Sequence, residues 1–114
     1  MHALIQEFSE YLRIEKRHSP HTVAGYCRDL GRFARAFPAI EVSSLTTAEI
    51  RGFLLLLRDE GLSPSSIARS LSSIKSFFRY LCEDKQLKEN PAEILETPRR
   101  WRKLPDILSL TDVD

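Results

Sequence analysis

Between Ser63 and Tyr80 the chain reads SPSSIARSLSSIKSFFRY, and its polar residues have the types and spacing that bear on chemistry. Wound as a helix, Ser65, Arg69, Ser72, Ser73, Ser76 and Arg79 share a face opposite Ile67, Leu71, Ile74, Phe78 and Leu81, with Ser66 beside them near the start. A plain solvated face is richer in long charged residues and alanine, because these favour helix where serine does not. Serine's short hydroxyl lets a polyanion come close to the backbone, and arginine forks onto phosphate or guanine. The chemistry these residues predict is non-covalent recognition of nucleic acid. Arg69, early in the helix, is placed to reach base edges. Arg79, two to three turns on, is placed to meet the phosphate backbone.

A second segment repeats the pattern. In the helix expected from Pro20, the apolar stripe is Val23, Tyr26, Leu30, Phe33 and Phe37. Opposite it stand His21, Thr22, Ala24, Gly25, Arg28, Arg32 and Arg35, the arginines at i, i+4 and i+7. Arginines stacked without acidic partners at i+4 repel one another by a few tenths of a kcal/mol per pair. Ala24 and Gly25 beside them permit close docking. Asp29 is the acid among them, and on the helical projection it points to the side. A basic segment after Thr97, containing Arg99, Arg100, Arg102 and Lys103 around Trp101, adds a third positive element.

The elements that must position these faces are helical. Apolar spacing predicts a first helix over residues 2 to 17, burying Leu4, Ile5, Phe8, Tyr11 and Leu12. Ser19-Pro20 and Ser63-Pro64 both read as N-cap followed by N1 proline, where a hydroxyl satisfies an orphan amide and proline has none to satisfy. The second helix runs to about Phe37, before Pro38. A loop pinned by Ile40, Val42 and Leu45 leads to Thr46-Thr47-Ala48-Glu49, a capping box opening a third helix with Ile50, Phe53, Leu54 and Leu57 inward. Gly61 is placed to end it. The fourth helix ends near Glu83, and Asn90-Pro91 starts a short fifth helix to about Leu95. The expected fold is all-α: a bundle of four main helices plus a short fifth, over residues 1–97. Residues 98–114 are expected to form an extended basic linker and the start of a further domain, since prolines bracket the basic run.

Composition narrows the remaining classes. The chain has 114 residues, 42% of them hydrophobic, enough for one domain with a core. A net charge of +1 means that a nucleic-acid surface must arise from the placement of charges, not from their total. No run of ~18 apolar residues is present to span a membrane. Charged residues from Glu7 to Glu15 interrupt any secretory signal, which points to the cytoplasm. Cys27 and Cys82 read as reduced, near-core thiols, again suiting a cytosolic protein. His2, His18 and His21 lack ligand partners at metal-binding spacing, and no glycine-rich phosphate loop is present, so neither metal nor cofactor is expected. A helical protein–protein module binding an acidic partner is the alternative, and the serine-rich face argues against it. A helix-turn-helix regulator is a weaker one, because a fourth helix of about 20 residues is long for that motif.

Several spaced motifs resemble those of one family. His21-Thr22-Val23-Ala24-Gly25-Tyr26-Cys27-Arg28-Asp29-Leu30 resembles the NTxxxYxxDL signature in the N-terminal core-binding, SAM-like domain of tyrosine recombinases. Ser66 through Phe78 resembles that family's SxxRxLSxxRxFY helix. Asn90-Pro91, then Pro98 through Leu104-Pro105 and Leu108-Ser109, resembles the passage into its catalytic domain. The similarity covers nearly the whole chain and is closest to the bacterial Xer type, which resolves chromosome dimers. His21, Lys75 and Phe78 depart from the usual asparagine, arginine and tyrosine.

The resemblance implies a helical domain that clamps a recombination half-site of double-stranded DNA, its second and fourth helices toward the major groove. It implies as partners a catalytic domain in the same full-length protein and sister or paralogous recombinase subunits, four to an assembly. Catalysis then lies beyond Asp114, and Tyr11, Tyr26 and Tyr80 are not nucleophiles.

Overall fold

The computed structural model describes residues 1–85 and 87–97, so the basic linker with Arg99, Arg100, Trp101, Arg102 and Lys103 lies outside the described residues. Four helices follow one another: α1 (His2–Ile14), α2 (Pro20–Ala36), α3 (Thr47–Asp59) and α4 (Pro64–Asp84), with a 3₁₀ turn at Val42–Ser44 before α3. Among the described residues there is no strand. The architecture is all-α.

The start signals act as their chemistry requires. Ser19 Oγ accepts from the Thr22 amide at 3.2 Å and Ser63 Oγ from the Ser66 amide at 3.2 Å, each with proline at the first helical position. Thr46 Oγ1 accepts from the Glu49 amide at 3.1 Å while Glu49 Oε1 accepts from the Thr46 amide at 3.0 Å, which closes the capping box. At the end of α3, Gly61 has φ +93°. Its amide donates to Arg58 O at 3.0 Å and that of Leu62 to Leu57 O at 3.1 Å. That pair of bonds is a Schellman ending, and the left-handed residue it needs explains the glycine.

Helix α4 is the hub: it packs against α1, α2 and α3. Its predicted stripe is buried throughout, but so are Ser70, Ser73, Phe77 and Tyr80. A helix touched by three others is covered over a wider arc than a single stripe. Phe33 of α2, fully buried, sets its ring edge-on to Phe37, Phe53 and Phe78 at 5.4, 5.2 and 6.2 Å, joining α2, α3 and α4. Phe8 of α1 meets Phe77 and Tyr80 of α4 at 5.6 and 5.3 Å. The Lys85–Glu7 ion pair joins the end of α4 to α1. Cys27 and Cys82 are free and half-buried.

The short fifth helix does not form. Residues 91–94 are hydrogen-bonded turns: Asn90 O accepts from Glu93 N at 3.2 Å and Ala92 O from Leu95 N at 3.1 Å. Bonds of this i→i+3 kind do not propagate into an α-helix here, because the segment is held to the bundle instead. Ala92 and Leu95 are buried, and Thr47 Oγ1 donates to Pro91 O at 2.7 Å.

Two groups on α4 are expected to give the stability curve an alkaline limb. Burial pushes the Tyr80 phenol above its ordinary 10.0, with Asp84, Glu7 and Tyr11 adding and Lys85 opposing. Burial likewise raises the Cys82 thiol above 9.0, helped by Glu93 and Glu83. Both groups are neutral when protonated, so their stabilising contribution is complete below the unfolded pKa and is lost as pH rises through the folded one. The melting temperature should therefore fall as pH rises from about 9. A Tyr80→Phe/Cys82→Ala variant should show a shallower fall, and an unchanged alkaline limb would remove these groups from the account.

Candidate nucleic-acid interface

The N-terminal half of α2 and the first turns of α4 border one open cleft of ≈ 300 Å³. From α2 come His21, Thr22, Gly25 and Arg28, and from α4 come Arg69 and Ser72. Their side chains are exposed except at Gly25, which is half-buried. Among the predicted site residues these are the ones that the fold brings together.

Behind the cleft lies a group the sequence reading missed. Asp29, predicted to project sideways, is 1% exposed. Arg69 Nε donates to Asp29 Oδ2 and Arg69 Nη2 to Asp29 Oδ1, both at 3.1 Å, while Ser73 Oγ donates to Asp29 Oδ2 at 3.0 Å. Asp29 raises the Arg69 pKa from its already high value, chiefly through the hydrogen bond and then through charge, so the guanidinium stays protonated. Ser73 is thus removed from the open face: it is 3% exposed and serves the carboxylate. Arg69 is held against α2 and is not a free arm. A signal was present in the sequence, because Asp29 and Ser73 each precede a core residue, Leu30 and Ile74. That is the flank of a stripe, where a close neighbouring helix can bury a polar group.

The other predicted residues are spread more widely. Arg32 and Arg35 continue the α2 stripe into a shallow groove shared with Phe53, Leu56 and Glu60 of the α3 side. Ala24 is exposed. Ser65 and Ser66 sit in the α4 cap, their hydroxyls 3.3 and 3.1 Å from Ser63 Oγ. Ser76 is half-buried beside Tyr26 and Tyr80. Arg79 borders a separate groove of ≈ 710 Å³ at the far end of α4, together with Lys75 and Lys88 but also Glu83, Glu89 and Glu93. Carboxylates there oppose an anion. Ser70 Oγ is buried without a hydrogen-bond partner, so that position makes use of serine's size and not its hydroxyl.

Tyr11, Tyr26 and Tyr80 line one small groove with Lys16, His18 and Arg79, and Lys16 Nζ lies 5.9 Å from the centre of the Tyr11 ring. Tyr80 is buried, and Tyr11 packs on it at 4.8 Å. Tyr26 meets Phe8 edge-on at 5.8 Å and stacks on His18 at 6.1 Å. Among the described residues no group of three or more His, Cys, Asp or Glu is placed to hold a metal ion, and no helix is long and apolar enough to cross a membrane.

Helices α1, α2 and α3 pack on a central α4, and α2 and α4 border the cleft. The chain belongs to the family described as phage integrase, N-terminal SAM-like domain, whose model matches residues 5–85. Its relatives are Xer tyrosine recombinases. A "Tyrosine recombinase XerD" of Oceanobacillus iheyensis is 37% identical, over 96% of this chain and 38% of its own length. One of the same name from Listeria monocytogenes serovar 1/2a is 36% identical, over 100% of this chain and 40% of its own. A "Tyrosine recombinase XerC" of Myxococcus xanthus is 39% identical, over 96% and 37% respectively. The chain therefore spans about two fifths of the length of these curated relatives. No solved structure matches it.

Proposed function

We propose that this chain is the DNA-binding domain of a site-specific tyrosine recombinase, and that α2 and α4 clamp one face of a recombination half-site. The observation that carries the reading is the cleft, where Arg28 and Arg69 from two helices stand with the hydroxyls of Thr22 and Ser72 on one accessible surface. Its carboxylate, Asp29, is already paired with Arg69. Arg32 and Arg35 extend the positive stripe along α2, and the sequence adds four basic residues after Thr97, Arg99, Arg100, Arg102 and Lys103.

Residues 1–97 form the binding domain and residues 98–114 the passage to a catalytic domain, which supplies the nucleophile and the other half of the clamp. The partners are double-stranded DNA, that catalytic domain, and sister or paralogous recombinase subunits. The compartment proposed is the cytoplasm, and chromosome dimer resolution is the process that the motif resemblance to the Xer type implies.

Fluorescence anisotropy with a labelled duplex at rising salt tests the reading. If Arg28, Arg32, Arg35 and Arg69 meet phosphates, the log–log slope should be about −3 to −4, and nearer −4 to −5 only if Arg79 joins them despite its neighbouring carboxylates. The bound DNA should carry no covalently attached protein. A salt-independent signal, or none at low salt, would reject DNA binding. A denaturant-resistant adduct lost on mutating Tyr11, Tyr26 or Tyr80 would reject the non-catalytic role.

A further inference from the structure

Arginine has five N–H donors in a planar fork, and Arg69 spends only part of that set on Asp29. The bonds to the carboxylate use Nε and one hydrogen of Nη2. The remaining donors, on Nη1 and the second hydrogen of Nη2, face away from Asp29 and have no protein partner among the described residues. The burial of the pair is lopsided: the Asp29 side chain is 1% exposed and that of Arg69 52%. One edge of the guanidinium is therefore locked into the bundle, and the other opens on the cleft with Arg28, Thr22 and Ser72.

We propose that Arg69 is a pre-set phosphate anchor: Asp29 and Ser73 hold its inner edge, and its outer edge takes a backbone phosphate of duplex DNA. This rests on the DNA-binding reading above and replaces a base-reading role for Arg69 with a positioning one.

Three features support it. A free arginine must give up rotamer freedom to bind, whereas this one is already immobilised, a saving of about three- to tenfold in affinity for one ordered side chain. Thr22 Oγ1 accepts from Ser19 Oγ at 3.1 Å, so its own hydrogen remains available to an acceptor in the cleft. A guanidinium pinned to α2 also cannot swing out to a base edge, while a phosphate can approach its open side. Charge alone would predict the opposite, since Asp29 offsets the positive charge of Arg69. The advantage lies in geometry, and geometry separates arginine from lysine. An ammonium that points at Asp29 has no second planar edge to offer outward.

The test compares the wild-type chain with Arg69→Lys and with the Asp29→Ala/Arg69→Ala double variant, which leaves no buried charge unpaired. Thermal melting verifies folding, and anisotropy is read against salt on two labelled duplexes of unrelated sequence. Net charge is the same in all three proteins. Each folded variant should lose about three- to tenfold in affinity on both duplexes, and the salt slope should become shallower by about one. A folded variant that binds with wild-type affinity and slope would overturn the anchor while leaving the DNA-binding reading intact. A loss confined to one duplex would overturn it in favour of base reading. Failure of the wild-type chain to bind either duplex would reject the DNA-binding reading itself, and the anchor with it.

Discussion

Phe33→Ala is expected to cost about 3–5 kcal/mol of stability. Phe33 is fully buried and sits where three helices meet, its ring against Phe37, Phe53 and Phe78. Truncation removes the transfer energy of the ring and leaves a cavity that the flanking aromatics cannot close without moving α2, α3 or α4. A domain of this size has roughly 5–15 kcal/mol in total, so the loss should unfold a measurable fraction at physiological temperature. Urea denaturation gives the value. A shift below about 1 kcal/mol would mean that the site collapses around the deletion and that this junction is not the keystone of the bundle. Phe33→Leu, which keeps most of the apolar volume, should cost less than half as much as the alanine change.

Arg69→Ala should cost about 2 kcal/mol, although the residue is exposed and lies on the candidate interface. Removing an exposed arginine ordinarily changes stability by less than 0.5 kcal/mol or so. Here it strips Asp29 of its two arginine hydrogen bonds and leaves a carboxylate 1% exposed with Ser73 as its remaining bonded partner. The penalty for an unpaired buried charge reaches about 3–5 kcal/mol where both partners are buried. Half of the Arg69 side chain is in solvent, which screens the pair and lowers the figure. Arg69→Lys should recover most of the loss, because an ammonium still answers the carboxylate. The double-mutant cycle with Asp29→Ala measures the coupling directly. Additive effects of the two single changes would show that the pair does not hold α2 to α4.

The local grammar of this chain was legible without its fold. Ser19-Pro20, Thr46 with Glu49, Gly61 and Ser63-Pro64 each act on amides or carbonyls within five residues, so neighbouring sequence is enough to specify them. The four helices and nearly all their inward residues followed, and the family could be recognised from motifs along the same segments. What the tertiary structure decided concerns α4 and its neighbours. A stripe read on one helix assumes one packing partner, and α4 has three; hence Phe77, Tyr80, Ser70 and Ser73 are buried beyond the predicted stripe. Asn90-Pro91 carries a sound start signal, yet the segment stays in hydrogen-bonded turns with Ala92 and Leu95 buried against the bundle. The serine-and-arginine face divides for the same reason. Ser72 and the outer edge of Arg69 remain at the cleft, while Ser73 and the inner edge are drawn to Asp29 from a helix some 40 residues away, a separation no local pattern reports. Periodicity places a polar residue on a helix; only the neighbouring helix determines whether it meets solvent or a buried carboxylate.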